Sequence, residues 1–141
     1  MTTGINFNRL LLSGLITGVV LNIGEFLLNE IVFVKEMEAV AHRLNIPRPD
    51  LKFNLTASAL TLIMGVVIML IFVLIRSRLG PGPKAILVAA LVPWFCLYIY
   101  AAILNTLLLD IPLRLLCIGM VWGLFEYCIA AFAGAWFYKE G

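Results

Sequence analysis

The stretch FNLTASALTLIMGVVIMLIFVLI, residues 53–75, contains no aspartate, glutamate, lysine or arginine. As an α-helix that rises about 1.5 Å per residue, it is long enough to cross the roughly 30 Å hydrocarbon core of a bilayer. Similar apolar runs occupy residues 10–34, 85–109 and 113–138. The chain is therefore predicted to cross a membrane as four helices.

The composition of the whole chain agrees with an integral membrane protein. Of its 141 residues, 63% are hydrophobic and 13% are charged, and the mean hydropathy is +1.07. Soluble domains are about 45–50% apolar and about 25% charged. Because four spans leave little chain for a soluble unit, residues 1–141 are predicted to form one transmembrane domain, an all-α bundle of four helices. The lipid bilayer is its expected surroundings, and no nucleic acid is expected among its partners.

The segment KEMEAVAHRLN, residues 35–45, is predicted to be a short amphipathic helix between the first two spans. Its apolar side chains recur at helical spacing, at Met37, Val40, Ala41 and Leu44. Pro47 and Pro49 end this segment, and Asp50 is a suitable N-cap for the second span. The later connections are short, so the second, third and fourth spans are predicted to be antiparallel neighbours.

The orientation signal is divided between the two sides of the predicted membrane. Five lysines and arginines lie on the side of the termini and five on the other. Of the five on the side of the termini, three lie in the turn RSRLGPGPK and the other two are Arg9 and Lys139. Because positive residues favour the cytoplasmic side, we expect cytoplasmic termini and a location in the inner cell membrane.

Two acids occupy matching positions in the first and last spans. In GVVLNIGEF (residues 18–26) and GMVWGLFEY (119–127), a glycine stands seven residues before a glutamate and an aromatic residue follows it. These glutamates are Glu25 and Glu126. Helical spacing places each on the same face as a G-x-x-x-G pair, and such pairs let helices approach closely. The expected packing residues are Gly14, Gly18, Gly119 and Gly123.

Counting residues from the helix ends predicts a polar layer inside the bundle. Its expected members are Glu25, Glu126, Asn22, Thr61, Tyr98 and Tyr100. An ionised carboxylate at the bilayer centre costs about 2.5–3.5 kcal/mol on insertion scales. No lysine or arginine lies in the interior of a predicted span to compensate, since Arg114 stands at the very start of the last one. At least one of the two glutamates is therefore predicted to be protonated at neutral pH.

Two functions fit such a layer. In one, neutral polar side chains hydrogen-bond across helices, so the Glu pair is a structural clamp in a non-enzymatic packing or accessory component. That component would assemble with itself or with a larger membrane complex, and residues 35–45 would be an outer docking element. In the alternative, Glu25 and Glu126 couple a small transporter or channel to protons or cations.

Enzymatic chemistry has little support in the sequence. The only histidine, His42, lies outside the predicted spans, and the cysteines Cys96, Cys117 and Cys128 lack metal-ligand spacing. No catalytic residue, metal site or cofactor is therefore predicted. A weaker possibility is an enzyme that acts on lipid at the interface near His42, Asp110 and Arg114, which share one side of the membrane.

Five short motifs carry a resemblance along the chain. NRLLLSG, GEFLLN, GPGPK, VWGLFEY and the closing GAWFYKE resemble the landmarks of a group of short bacterial integral membrane proteins with four predicted helices. The resemblance implies a bacterial origin and makes Glu25 and Glu126 landmarks of the group. It implies no activity, ligand or site.

Overall fold

A computed structural model describes residues 4–138 and confirms an all-α bundle with four long apolar helices. The helices are α1 (Phe7–Leu27), α2 (Val34–Arg43), α3 (Leu51–Leu79), α4 (Pro83–Trp94), α5 (Ala102–Leu109) and α6 (Leu113–Phe137). Wider π-helical turns, Leu28–Val32 and Phe95–Ala101, extend α1 and join α4 to α5. Lys139 and the end of the GAWFYKE motif lie outside the described residues.

The four candidate membrane spans are Phe7–Val32, Leu51–Leu79, Pro83–Leu109 and Leu113–Phe137. Three of them begin two or three residues before the predicted apolar runs, and polar side chains cap the first two. Asn6 accepts a hydrogen bond from the backbone N–H of Arg9 at 3.1 Å, and the predicted cap Asp50 accepts one from Phe53 at 2.7 Å. Such caps satisfy backbone donors that have no partner within the helix.

Helix α1 packs between α3 and α6, and α4 completes the bundle against α3 and α6. The closest approach joins α1 to α3. A Cβ added to Gly14 would lie 2.6 Å from Val66 Cα, and one added to Gly18 would lie 2.7 Å from Leu62 Cα. Gly65 on α3 faces the backbone of both α1 glycines. The sequence placed Gly14 and Gly18 on a packing face, and the structure shows that this face meets α3.

The π-helical turn Phe95–Ala101 follows the proline of the third span. Pro93 is buried near the end of α4 and lacks the N–H that a regular helix would use. The third span then continues as π-helix before α5 begins at Ala102. Such wider turns re-aim the side chains beyond them, and Tyr98 lies in this one.

The amphipathic helix α2 is held against the turn between α5 and α6. Arg43 donates hydrogen bonds to Leu109 O at 2.9 Å and Asp110 O at 2.6 Å, and its guanidinium lies 3.4 Å from the Asp110 carboxylate. A cation at these carbonyls also offsets the negative end of α5. The expected amphipathic helix is therefore present, and its Arg43 side chain contacts the turn that precedes α6.

Candidate functional site

Glu25 is hydrogen-bonded from a different span. The hydroxyl of Tyr98, in the Phe95–Ala101 turn, donates to Glu25 Oε1 at 2.5 Å. Asn29, one turn further along the first span, donates from Nδ2 to Glu25 Oε2 at 3.2 Å. Both carboxyl oxygens of Glu25 therefore have partners, and one of these bonds ties the first span to the third.

The ring of Tyr98 lies against Gly123 of α6, and its hydroxyl extends from there to Glu25. A Cβ added to Gly123 would lie 2.7–2.8 Å from three carbons of the Tyr98 ring. The same ring makes an edge-to-face contact with Tyr127, with centroids 5.8 Å apart. Since any larger side chain at residue 123 would occupy the place of the ring, Gly123 permits the Tyr98–Glu25 bond.

Glu126 has no such partner. Its side chain is only 6% exposed, and neither carboxyl oxygen has a hydrogen-bond partner within residues 4–138. The carboxyl group lies against Gly24 of α1. A Cβ added to Gly24 would lie 2.7 Å from the carboxyl carbon of Glu126 and 3.0 Å from its Oε2. Trp122, one turn before Glu126, donates its indole N–H to Gly24 O at 3.2 Å, and this N–H is also close enough to the Glu126 carboxyl to interact with it.

The matched outline of the two acids therefore hides two different environments. Glu25, Tyr98, Tyr127 and Glu126 are close enough to interact electrostatically. Yet Glu25 is hydrogen-bonded by Tyr98 of the third span and by Asn29 of its own span. Glu126 is buried, and neither of its carboxyl oxygens is in hydrogen-bond geometry with a partner within residues 4–138. Because a buried polar group without a partner costs about 1–3 kcal/mol or more, Glu126 is the side chain in this site that calls for an explanation.

A groove of about 730 Å³ runs between α1 and α6 directly beside Glu126. Its walls are almost wholly apolar and include the exposed side chains of Ile23, Val121 and Phe125. Gly24, Trp122 and Glu126 also line it. The groove opens on the outer surface of two candidate spans, so in a bilayer it would face hydrocarbon.

Three residues of the expected polar layer do not join the acids. Asn22 donates to Gly18 O on its own helix and to Ser58 O on α3, at 3.1 and 3.2 Å. Thr61 donates to Ala57 O within α3, and Tyr100 is 65% exposed. Their predicted place in the layer was wrong because similar depth does not fix the direction of a side chain, and residues two apart on a helix point to different sides.

Three of the four expected packing glycines lie at close helix contacts, and one does not. Gly14, Gly18 and Gly123 lie where a Cβ would collide, but at Gly119 the nearest atom is Phe33 Cε2 at 3.9 Å, an ordinary contact. The expectation of close packing at Gly119 was therefore wrong. Gly24 and Trp122 were not among the predicted site residues. The contact between Gly24 and Glu126 depends on the register of α1 against α6, and the sequence carries no signal for that register.

The interfacial residues do not assemble as a site around histidine. Asp110 is contacted by Arg43, and a cavity of about 340 Å³ beside that contact is lined by Glu36, Arg43 and Arg114 but not by His42. Within residues 4–138, no group of three or more His, Cys, Asp or Glu side chains could hold a metal ion.

Fold and site together define a class: an all-α membrane-embedded bundle of four spans with a buried acid beside a groove on its outer surface. The chain matches no protein-family model, no curated protein and no solved structure. The function therefore has to be argued from the residues themselves.

Proposed function

We propose that this chain is a non-enzymatic component of the bacterial inner membrane, with cytoplasmic termini, that acts by associating with a second copy of itself. The observation that supports the proposal is the bare surface of the second half of the third span. No residue of Phe95–Ala101 or α5 is buried, and Leu107 and Leu108 are 76% and 80% exposed.

Asn105 lies on this surface of the third span and indicates that a second copy of the chain covers the surface. Its side chain is exposed and makes no hydrogen bond within the described part of the chain, although it lies in a candidate membrane span. Asn105 lies one turn before the end of its span, and amides hydrogen-bond across helices where membrane helices pack together. Because an amide carries both donors and an acceptor, two copies of Asn105 can bond to each other across a two-fold axis.

Cysteine cross-linking in membranes tests this association. In a variant without the three native cysteines, Leu108→Cys lies one turn from Asn105 and is expected to form a disulfide-linked dimer. Val19→Cys, on the exposed side of α1, is the matched control and should stay monomeric. Adding Asn105→Leu to Leu108→Cys should reduce the dimer severalfold. A monomeric Leu108→Cys, or a dimer that is indifferent to Asn105→Leu, would contradict the proposal.

Transport coupled to protons or cations is the second candidate, and the closeness of Glu25 and Glu126 favours it. Buried acids in membrane spans commonly relay protons or bind cations. Flux into liposomes discriminates between the two functions. A transporter should show pH-dependent flux that Glu126→Gln abolishes, whereas an assembly component should show no flux above that of empty liposomes.

A further inference from the structure

We infer that the groove between α1 and α6 is a binding site for a quinone, with Glu126 as the group that recognises a carbonyl oxygen of the ligand. The inference does not depend on the proposed association, which concerns the surface of α5. It starts from the buried carboxyl group of Glu126, which lies beside the Trp122 indole but has neither oxygen in hydrogen-bond geometry with a partner within residues 4–138.

The size and position of the groove restrict the ligand. A volume of about 730 Å³ lies within the roughly 300–1,000 Å³ of small-molecule sites. Glu126 lies close to the middle of α6, far from either membrane surface. A phospholipid cannot bring its charged headgroup to this depth without a large desolvation cost. An uncharged molecule whose polar atoms are carbonyls meets that restriction, and an isoprenoid tail would match the apolar walls.

The lining side chains indicate a flat ring with a hydrogen-bond acceptor. Trp122 and Phe125, three residues apart on α6, both line the groove, and aromatic side chains stack on planar rings. A carboxyl group buried in apolar surroundings is most stable when it is uncharged, and an uncharged carboxyl has one O–H to donate. A quinone carbonyl accepts such a bond.

Gly24 places the carboxyl group within reach of the groove. Gly24 lines the groove, and the Glu126 carboxyl lies against it where any other residue would have its Cβ. In the empty groove both carboxyl oxygens are covered. Binding therefore requires the carboxyl group to rotate so that one oxygen faces the groove.

Tryptophan fluorescence provides a direct test in detergent or nanodiscs. In a Trp94→Phe, Trp136→Phe background, Trp122 is the remaining tryptophan and reports on the groove. A benzoquinone with a decyl tail should quench the fluorescence of Trp122 saturably. Decylbenzene, which lacks carbonyls, should not displace the quinone and so should not restore the fluorescence. Decanol at the same concentration should displace it poorly; equal displacement by decanol would overturn the assignment to a quinone.

Variants of Glu126 decide the role of the carboxyl group. Glu126→Gln keeps a donor and should bind the quinone within about threefold of the parent, whereas Glu126→Leu should bind about tenfold more weakly. Glu30→Gln, an exposed acid outside the groove, is the control and should bind normally. Equal affinity in Glu126→Leu and the parent would overturn the inference.

A second variant covers the case in which Glu126→Leu fails to fold. Val121 is 57% exposed on the wall of the groove, so Val121→Phe adds bulk to that wall while Glu126 is kept. It should abolish saturable quenching while the helical circular dichroism stays unchanged. Quenching that persists in a folded Val121→Phe protein would also overturn the inference.

Discussion

Replacing Gly65 with alanine is expected to lower the free energy of unfolding by about 3 kcal/mol, the upper part of the usual range for overpacking. A Cβ at residue 65 would collide with Gly14 O and Gly18 N and lie 2.6 Å from Gly18 Cα. These are backbone atoms of α1, so they cannot turn aside as a side chain can. The two helices would have to separate along their closest contact.

Denaturation with increasing SDS in mixed micelles, followed by circular dichroism, measures the effect of Gly65→Ala. Gly119→Ala is the matched control because it adds the same methyl group to a spanning helix, but the nearest atom is 3.9 Å away. The control should change stability by less than about 0.5 kcal/mol. Equal losses in the two variants would mean that α1 and α3 do not meet at Gly65.

Replacing Gly123 with alanine is expected to cost about 2 kcal/mol and to break the bond between Tyr98 and Glu25. The new methyl group would lie 2.7–2.8 Å from three atoms of the Tyr98 ring. The ring is held on another side by Tyr127 and cannot move away while its hydroxyl stays on Glu25. The expected loss again follows from overpacking.

A double-mutant cycle identifies the bond that is lost. Tyr98→Phe removes only the hydroxyl and should cost about 0.6–1.7 kcal/mol in the parent, as measured for hydrogen bonds between membrane helices. In the Gly123→Ala background the same change should cost almost nothing, because the bond is already broken. Equal costs in both backgrounds would show that Gly123 does not position Tyr98.

The spans could be predicted because apolar length is a property of each helix alone. The run without charges at residues 53–75 and the cap at Asp50 depend only on local sequence, and the structure contains both. Gly14 and Gly18 were also found, because four-residue spacing places them on one face of a helix whatever its neighbour is.

The contacts between helices could not be predicted in the same way. Depth counting brought Tyr98 to Glu25 correctly but placed Tyr100 beside it, because rotation about the helix axis depends on packing. The π-helical turn after Pro93 changes that rotation further. Similarly, nothing in either helix sequence shows that Gly24 faces Glu126, since that contact exists only once α1 and α6 have packed.

The two acids differ in their environments. Glu25 has both oxygens bonded, one of them to Tyr98, and it fits the role of a clamp between spans. Glu126, by contrast, forms no hydrogen bond to another span within residues 4–138. We therefore propose different roles for the two acids, with Glu126 recognising a ligand in the groove.

The central claim is that Glu126 is enclosed by protein inside the membrane and carries no charge. Infrared difference spectroscopy of the parent and Glu126→Gln proteins at pH 7 measures this directly. We predict a C=O stretch of a protonated carboxylic acid in the parent protein that is absent from Glu126→Gln. A difference spectrum that contains only the bands of an ionised carboxylate would contradict the account.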